Sequence, residues 1–341
     1  MQDVTLIGID LGKHGFHLHG QDRHGKGLLR RKFDRKHLIT FLTNFQPCTV
    51  VMEACAGAHW MARQLSALGH ETKLISPQFI RPFVKGNKND FIDAEAICEA
   101  ASRPSMRFVT PKTEAQQCLP ALHRTRDSLM RDRVKAINQI HGFLLEFGIG
   151  LPRGPAIIKR LPSVLAEQAL PARLVALLER LHSHFRYLDE QIADIEKGLD
   201  RQLQDDDLGQ RLMSIPGVGP ITASVLAAEV GDGKQYRCGR DFAASIGLVP
   251  RQYSTGGRNN LLGISKRGDK NLRRLLVQCA RAYMQRLERQ SDRLALWVRS
   301  MLMRRHANVV ACALANKLAR TAWAIAAHHT EFKRQEAVMV A

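Results

Sequence analysis

Acidic residues are scarce in this chain: 32 Asp and Glu stand against 51 Lys and Arg over 341 residues, a formal net charge of +19. Such a deficit points to a polyanionic partner, nucleic acid ahead of anionic membrane. Long apolar runs are missing too. None approaches the roughly 20 residues that a membrane span needs, so no membrane partner is expected. The seven cysteines (48, 55, 98, 118, 238, 279 and 312) contain no CxxC pair and no metal-knuckle spacing. That speaks against a zinc site or a disulfide framework, and they read as reduced, mostly buried thiols of a cytoplasmic protein. The opening MQDVTLIGIDLGK is acidic where a signal peptide is basic. There is no tandem repeat and no low-complexity tract.

What is present has a legible order. VTLIGIDLG (4–12), FHLHGQD (16–22) and GLLRRKFD (27–34) read as three strands joined by short turns. A helix over 37–45, a strand TVVMEA (49–54), an amphipathic helix from His59 and a strand ETKLISP follow. Three strands in a meander, then alternating helix and strand, is the order of a ribonuclease-H-like mixed sheet. Residues 112–200 change character to two long, charged, periodic stretches separated by GIGLPRGP. They fit an antiparallel coiled coil or oligomerising arm, and an ordinary helical bundle fits the same pattern. The last helical run, NVVACALANKLARTAWAIAAHH, has the broad apolar face of a core helix. The fold class expected is α/β plus α. Its parts are a domain over 1–111, a helical arm over 112–205 and a mainly helical domain over 206–335.

Carboxylates mark the first domain. NDFIDAEAI sets Asp90 and Asp93 three apart, on one face of a helix, where they repel. Lys85 and Lys88 lie just upstream. Asp10 ends the strand in GIDLGK and Glu53 ends the strand in VMEACAG. Neighbouring strands bring both to one edge of the sheet, against the helix bearing Asp90 and Asp93. Four converging carboxylates repel strongly unless one or two hard cations neutralise them. Two Mg²⁺ ions held this way serve phosphodiester chemistry. Each residue also has a plain structural reading: Asp10 as a turn former, Glu53 as a helix-dipole partner, Asp90 as an N-cap, Asp93 as a solvated first-turn acid. The joint pattern favours the metal. GIDLG also occurs in sugar-kinase- and actin-like ATPases, but the second phosphate turn and the Gly-rich adenosine loop of that fold are not found here.

A second constellation lies downstream. IPGVGPITASVLAAEVGD has the shape of a helix–hairpin–helix, in which the turn at Gly217 and Gly219 offers backbone N–H groups to a DNA phosphate. A Gly-rich turn between packed helices has the same shape. From Arg251 to Arg274 there are seven basic residues (251, 258, 266, 267, 270, 273, 274) against the single acid Asp269. Arg251, Arg258, Lys266, Arg267 and Lys270 are taken as nucleic-acid contacts. Ser254 stands in YSTGG amid that positive field. Its hydroxyl attacks a phosphodiester if its proton is removed and the developing charge is stabilised; alone, a serine there is a turn residue.

Taken together, Asp10 in GIDLGK, Glu53 in VMEACAG, Asp90 and Asp93 in NDFIDAEAI, IPGVGPITA, GLVPRQYSTGG and GISKRGDKNLRRLL carry a resemblance over nearly the whole chain. It is to the DEDD transposases of the insertion-sequence group numbered one-ten, in particular its eleven-eleven subgroup. The resemblance implies a RuvC-like N-terminal domain, a coiled-coil arm and a C-terminal transposase domain with a nucleophilic serine. Ser254 fits that role by its place before the glycines, with Thr255, Ser245 and Ser265 as other hydroxyls nearby. It also implies Mg²⁺, for which Mn²⁺ can substitute, and DNA as both donor and target. A bridge RNA that pairs with both DNAs guides the reaction in that family, and a homodimer or homotetramer suits strand exchange. Two other readings compete. One is a junction-resolving nuclease that hydrolyses DNA with the carboxylates alone; the other is an architectural DNA-binding protein.

Overall fold

A computed structural model describes residues 3–87 and 89–334, and Lys88 lies outside them. The chain divides into two compact units, Met1–Gln117 and Cys118–Ala341.

The first unit is built on six strands. They are β1 (Leu6–Leu11), β2 (Phe16–Gln21), β3 (Gly27–Phe33), β4 (Thr49–Glu53), β5 (Glu71–Ile75) and the two-residue β6 (Phe108–Val109). Between β3 and β4 runs α1 (Arg35–Thr43), and between β4 and β5 runs α2 (Ala58–Ala67). After β5 come a single turn α3 (Pro77–Ile80) and then α4 (Asp90–Ala101). The spatial order is β3-β2-β1-β4-β5-β6. The first three strands are antiparallel, β1–β4 and β4–β5 are parallel, and β6 is antiparallel to β5. This mixed six-stranded sheet is compatible with the ribonuclease-H-like order expected. The edge strand β6 was not foreseen; two residues are too few to show a period of two.

Strand periodicity decides what each face buries. Ile7 and Ile9 of β1 join Val50 and Met52 of β4 in a core closed by Leu38 and Leu42 of α1 and Met61 and Leu65 of α2. The alternate residues face the other way, where Val51 and Ile75 pack on Ala96, Ile97 and Ala100 of α4. Asp10 and Glu53 have the parity of that second face. The sheet therefore turns both carboxylates toward α4.

The second unit is mainly helical. Its long helices α5 (Glu114–Leu145) and α8 (Ala172–Gln204) flank the short α6 (Pro155–Lys159) and α7 (Leu161–Ala166). Arg126 pairs with Glu196 and Arg133 with Asp189. Seven residues forward in α5 thus correspond to seven backward in α8, which fixes an antiparallel pair at heptad spacing. Beyond it, Ile140, Leu144, Ile158, Leu161, Leu178 and Phe185 make a small core of their own.

The remainder comprises α9 (Asp207–Met213), α10 (Pro220–Val230), α11 (Gly239–Ser245), β7 (Pro250–Gln252), β8 (Leu261–Ile264), α12 (Lys270–Gln285), α13 (Arg293–Leu302) and α14 (Ala307–His328). The basic stretch around YSTGG, for which no strands were expected, holds an antiparallel hairpin, β7–β8. Its polar, Gly-bearing sequence hides that pairing. By length and composition α14 is able to cross a bilayer, contrary to the reading that no run approaches that size. Alanines supply much of its apolar length, and residues such as Leu314, Ala315 and Leu318 lie in the unit's main core, as the sequence indicated. Three of the cysteines, 48, 98 and 279, are buried, three are half-buried and Cys118 is exposed, so burial is less general than expected.

Candidate active site

At the carboxyl end of β1 and β4 the sheet meets the first turn of α4. Gly8 makes the meeting close: a Cβ added there would lie 2.4 Å from the Ala94 carbonyl oxygen and 2.7 Å from Cys98 Sγ. The first glycine of GIDLG thus serves helix-on-strand packing. Two residues on, Asp10 emerges on the same face beneath the start of α4. The turn into β2 is tight, with the Gly12 N–H donating to the Gly15 carbonyl at 3.0 Å. It places His17 directly across the ladder from Asp10.

The helix start is capped by Asn89, whose side chain accepts from the Phe91 N–H at 3.0 Å. The N-cap reading of Asp90 is therefore corrected. Asn89 fills that role, and Asp90 is the first helical residue with its carboxylate free to face the sheet. Lys85, upstream, pairs with Glu99 at 2.9 Å, about two and a half helical turns from Asp90. Asp10, His17 and Asp90 each offer a donor atom, all within 4.8 Å of one another. His17 Nδ1 is 3.5 Å from Asp90 Oδ2.

Glu53 and Asp93 act on each other nearby. Burial pushes the Glu53 carboxyl above its usual range, and the negative charge of Asp93 pushes it further in the same direction. The thiol of Cys55, two residues on, is raised by burial first, then by Glu53 and Asp10. Asp10 and Asp90 thus share a cluster with His17 at this end of the sheet, while Glu53 feels the charge of Asp93, and Cys55 that of both Glu53 and Asp10. His17 was missed. The signal was available: in a hairpin turning at residues 12–15, Asp10 and His17 are cross-strand partners and share a face.

In the second unit, Ser254 lies exposed on the β7–β8 hairpin. Its Oγ accepts from Gln252 Nε2 at 2.8 Å and donates to Asn259 Oδ1 at 3.4 Å. Thr255, beside it, bridges to Arg258. Ser245 donates its hydroxyl to the Phe242 carbonyl at 2.8 Å inside α11, and the Ser265 N–H donates to the Val249 carbonyl. Arg251, Arg258, Lys266, Arg267 and Lys270 are all exposed. Two basic residues of the run are not available in this way. Arg273 is buried and donates to the carbonyls of Ile246 and Arg267, at 2.9 and 2.7 Å. Arg274 pairs with Asp127.

The glycine turn lies between α9 and α10. Gly217 has φ +82°, and a Cβ on it would meet the Cys279 carbonyl oxygen of α12 at 2.6 Å, so glycine is required there on packing grounds. Gly219 is the N-cap of α10 with open space around it.

Comparison with known proteins bears on both halves. A family model described simply as "Transposase", of the DEDD type, matches residues 7–149. A second, described as "Transposase IS116/IS110/IS902 family", matches residues 209–295. The transposase for insertion sequence element IS1328 of Yersinia enterocolitica is 66% identical over 98% of this chain and 100% of its own length. A probable family 20 transposase of Pseudomonas aeruginosa is 46% identical, over 97% and 99% of the two chains. The transposase for insertion sequence element IS1111A of Coxiella burnetii is 42% identical, over 95% and 90%.

Proposed function

The chain belongs to the IS116/IS110/IS902 family of transposases, enzymes whose substrate is DNA, and we propose that it cuts and rejoins DNA strands through Ser254 and a divalent-metal centre at Asp10, Glu53, Asp90 and Asp93. The observation that carries this reading is the cluster of Asp10 and Asp90 with His17 at the end of the sheet, with Glu53 and Asp93 close enough to act on each other's charge.

The donor set fits a metal on its own chemistry. Carboxylate oxygens suit hard cations, and the charge on Glu53, disfavoured by burial first and by Asp93 second, is one that a bound cation would stabilise. Mg²⁺, as two ions, is the proposed occupant, with Mn²⁺ able to take its place. When bound, such ions supply positive charge beside the scissile phosphate. The protein's own part is positional. The β1 and β4 ends fix Asp10 and Glu53, and the Asn89 cap fixes the turn bearing Asp90 and Asp93. The glycines of YSTGG leave Ser254 exposed among Arg251, Arg258, Lys266, Arg267 and Lys270, which hold the phosphate backbone.

In the proposed step the Ser254 Oγ–P bond forms and the P–O bond to the leaving sugar oxygen breaks. The serine proton passes to a base and the leaving oxygen takes one up. The phosphoserine conserves the bond for rejoining. Ser254 and Thr255 are exposed, whereas the hydroxyl of Ser245 is committed inside α11, which supports the choice of the hairpin. Gly217 and Gly219 are proposed as further backbone contacts to nucleic acid. A guide RNA pairing with donor and target DNA is part of the proposal. It is supported by the resemblance and by a +19 charge suited to more than one polyanion. A homodimer or homotetramer, joined through the α5–α8 arm, suits the exchange of strands between two duplexes. On this view 1–111, 112–205 and 206–335 are the working parts.

The test is a denaturation-resistant protein–DNA adduct. Wild type is expected to form it on cognate DNA with its RNA and Mg²⁺. Ser254→Ala is expected to bind nucleic acid and form none. Cleavage by Ser254→Ala at the wild-type rate would mean attack by water, the mode of a hydrolytic nuclease. An adduct lost only on changing Thr255, Ser245 or Ser265 would move the nucleophile. RNase treatment that left recombination intact would remove the guide.

A further inference from the structure

His17 is the polar group at this site that the carboxylate pattern does not explain. It is more than nine-tenths buried, yet its Nδ1 has no hydrogen-bond partner. A buried polar atom left so is costly unless something satisfies it. Its direction is fixed. The ring stands edge-on to Phe91, with centroids 4.7 Å apart and planes at 76°, and the Arg30 guanidinium covers Phe91 at 4.5 Å. Nδ1 faces Asp90 Oδ2 at 3.5 Å, and Asp10 lies directly across the ladder. That separation is long for a hydrogen bond. Two donors in adjacent positions of an octahedral cation at roughly 2.1 Å each lie about 3.0 Å apart, so a small inward shift brings this pair into joint ligation.

Resting on the metal-centre reading above, we propose that His17 Nδ1 is a nitrogen ligand of that centre. It joins Asp10 and Asp90 at one divalent cation and biases that position toward transition-metal ions such as Mn²⁺ over Mg²⁺. Imidazole suits borderline ions, whereas Mg²⁺ prefers an all-oxygen shell. An all-carboxylate centre would show no nitrogen coupling to the bound ion, and a weaker preference.

The test uses the full chain stripped of metal with a chelator, then titrated with Mn²⁺ or Mg²⁺ alone, without DNA. Pulsed electron paramagnetic resonance of bound Mn²⁺ is expected to show coupling to a nitrogen nucleus in wild type. His17→Phe keeps an aromatic ring against Phe91 and removes the donor. It is expected to lose the coupling and at least about tenfold of Mn²⁺ affinity, with a smaller loss for Mg²⁺. Where His17→Phe does not fold, His17→Asn offers an oxygen near the Nδ1 position and is expected to lose the coupling while retaining binding. Mn²⁺ bound by wild type without nitrogen coupling, or coupling that persists in both variants, would overturn the role of His17 and leave the carboxylate centre standing. A wild-type protein that binds neither ion at millimolar concentration would overturn the metal centre itself.

Discussion

Gly8 lies so close beneath Ala94 that even a methyl group has no place between strand and helix: the added carbon would sit 2.4 Å from the Ala94 carbonyl oxygen. That oxygen belongs to the α4 backbone and cannot rotate aside as a side chain would. Gly8→Ala must therefore lift or tilt α4, at a cost of about 1–3 kcal/mol. The turn holding Asp90 and Asp93 moves with it. Thermal unfolding and strand-cleavage rate should fall together, the rate by tenfold or more, since displacements near 1 Å are costly in positioned chemistry. A Gly8→Ala protein with wild-type melting and rate would show that α4 docks loosely.

Loss of any one carboxylate separates chemistry from stability. Asp10→Ala, Glu53→Ala and Asp93→Ala are each expected to reduce cleavage at least a hundredfold (roughly) while circular dichroism stays native. Asp90→Ala is expected to behave alike, because Asn89 and not Asp90 caps the helix. Glu53→Gln adds a second readout. Burial and Asp93 disfavour the charged form of Glu53, so the metal-free variant should melt no lower than wild type at neutral pH. A residue whose removal leaves metal-dependent cleavage unchanged does not belong to the centre.

Salt is expected to weaken nucleic-acid binding steeply, since neutralised phosphates release their counterions. Replacing Arg258, Lys266 and Arg267 together with Gln should flatten the slope of log affinity against log salt. Each lost phosphate contact should remove close to one unit of slope. An unchanged slope would locate the contacts elsewhere, with the α5–α8 arm as the next surface to test.

Acid should loosen the second unit through His123. Its Nε2 is 3.0 Å from Ser224 Oγ, and burial, aided by the charge of Arg126, brings its pKa down to about 4. The unfolded chain takes up that proton near pH 6.5 and the folded chain resists it. Between these values the unfolded state binds more protons, so stability is full above about pH 6.5 and declines as pH falls toward 4. The decline amounts to at most roughly 3 kcal/mol. Denaturant unfolding at pH 4.5 and 7.5 measures it, and His123→Gln should shrink the difference. An equal difference in the variant would assign the acid sensitivity to other groups.

Why some of this was legible in sequence and some was not follows from range. The β1–β2–β3 meander is local, so alternation in LIGIDL and FHLHGQ revealed both the strands and their sides. Asp10 and Glu53 stood out because carboxylates at strand ends are conspicuous, and Asp90 and Asp93 because helical spacing put them on one face. His17 escaped because a histidine among strand residues reads as core until its partner across the ladder is identified. The β7–β8 hairpin escaped for the opposite reason, as its strands are short, polar and exposed. Counting charge misjudged Arg273. Its guanidinium is spent on two backbone carbonyls, a use that composition cannot distinguish from phosphate binding.

The parallel pairing of β1 with β4 also bears on how the chain reaches its native state. The meander closes through short loops, whereas Ile9 finds Met52 only after β2, β3 and α1 have been laid out between them. Loop closure of that kind is slow relative to hairpin formation. Asp10 and His17 therefore come together early, while Glu53 and the α4 acids join only as the sheet's non-local half forms. Their repulsion thus sets in only with the non-local half of the sheet, since the local hairpin carries Asp10 alone.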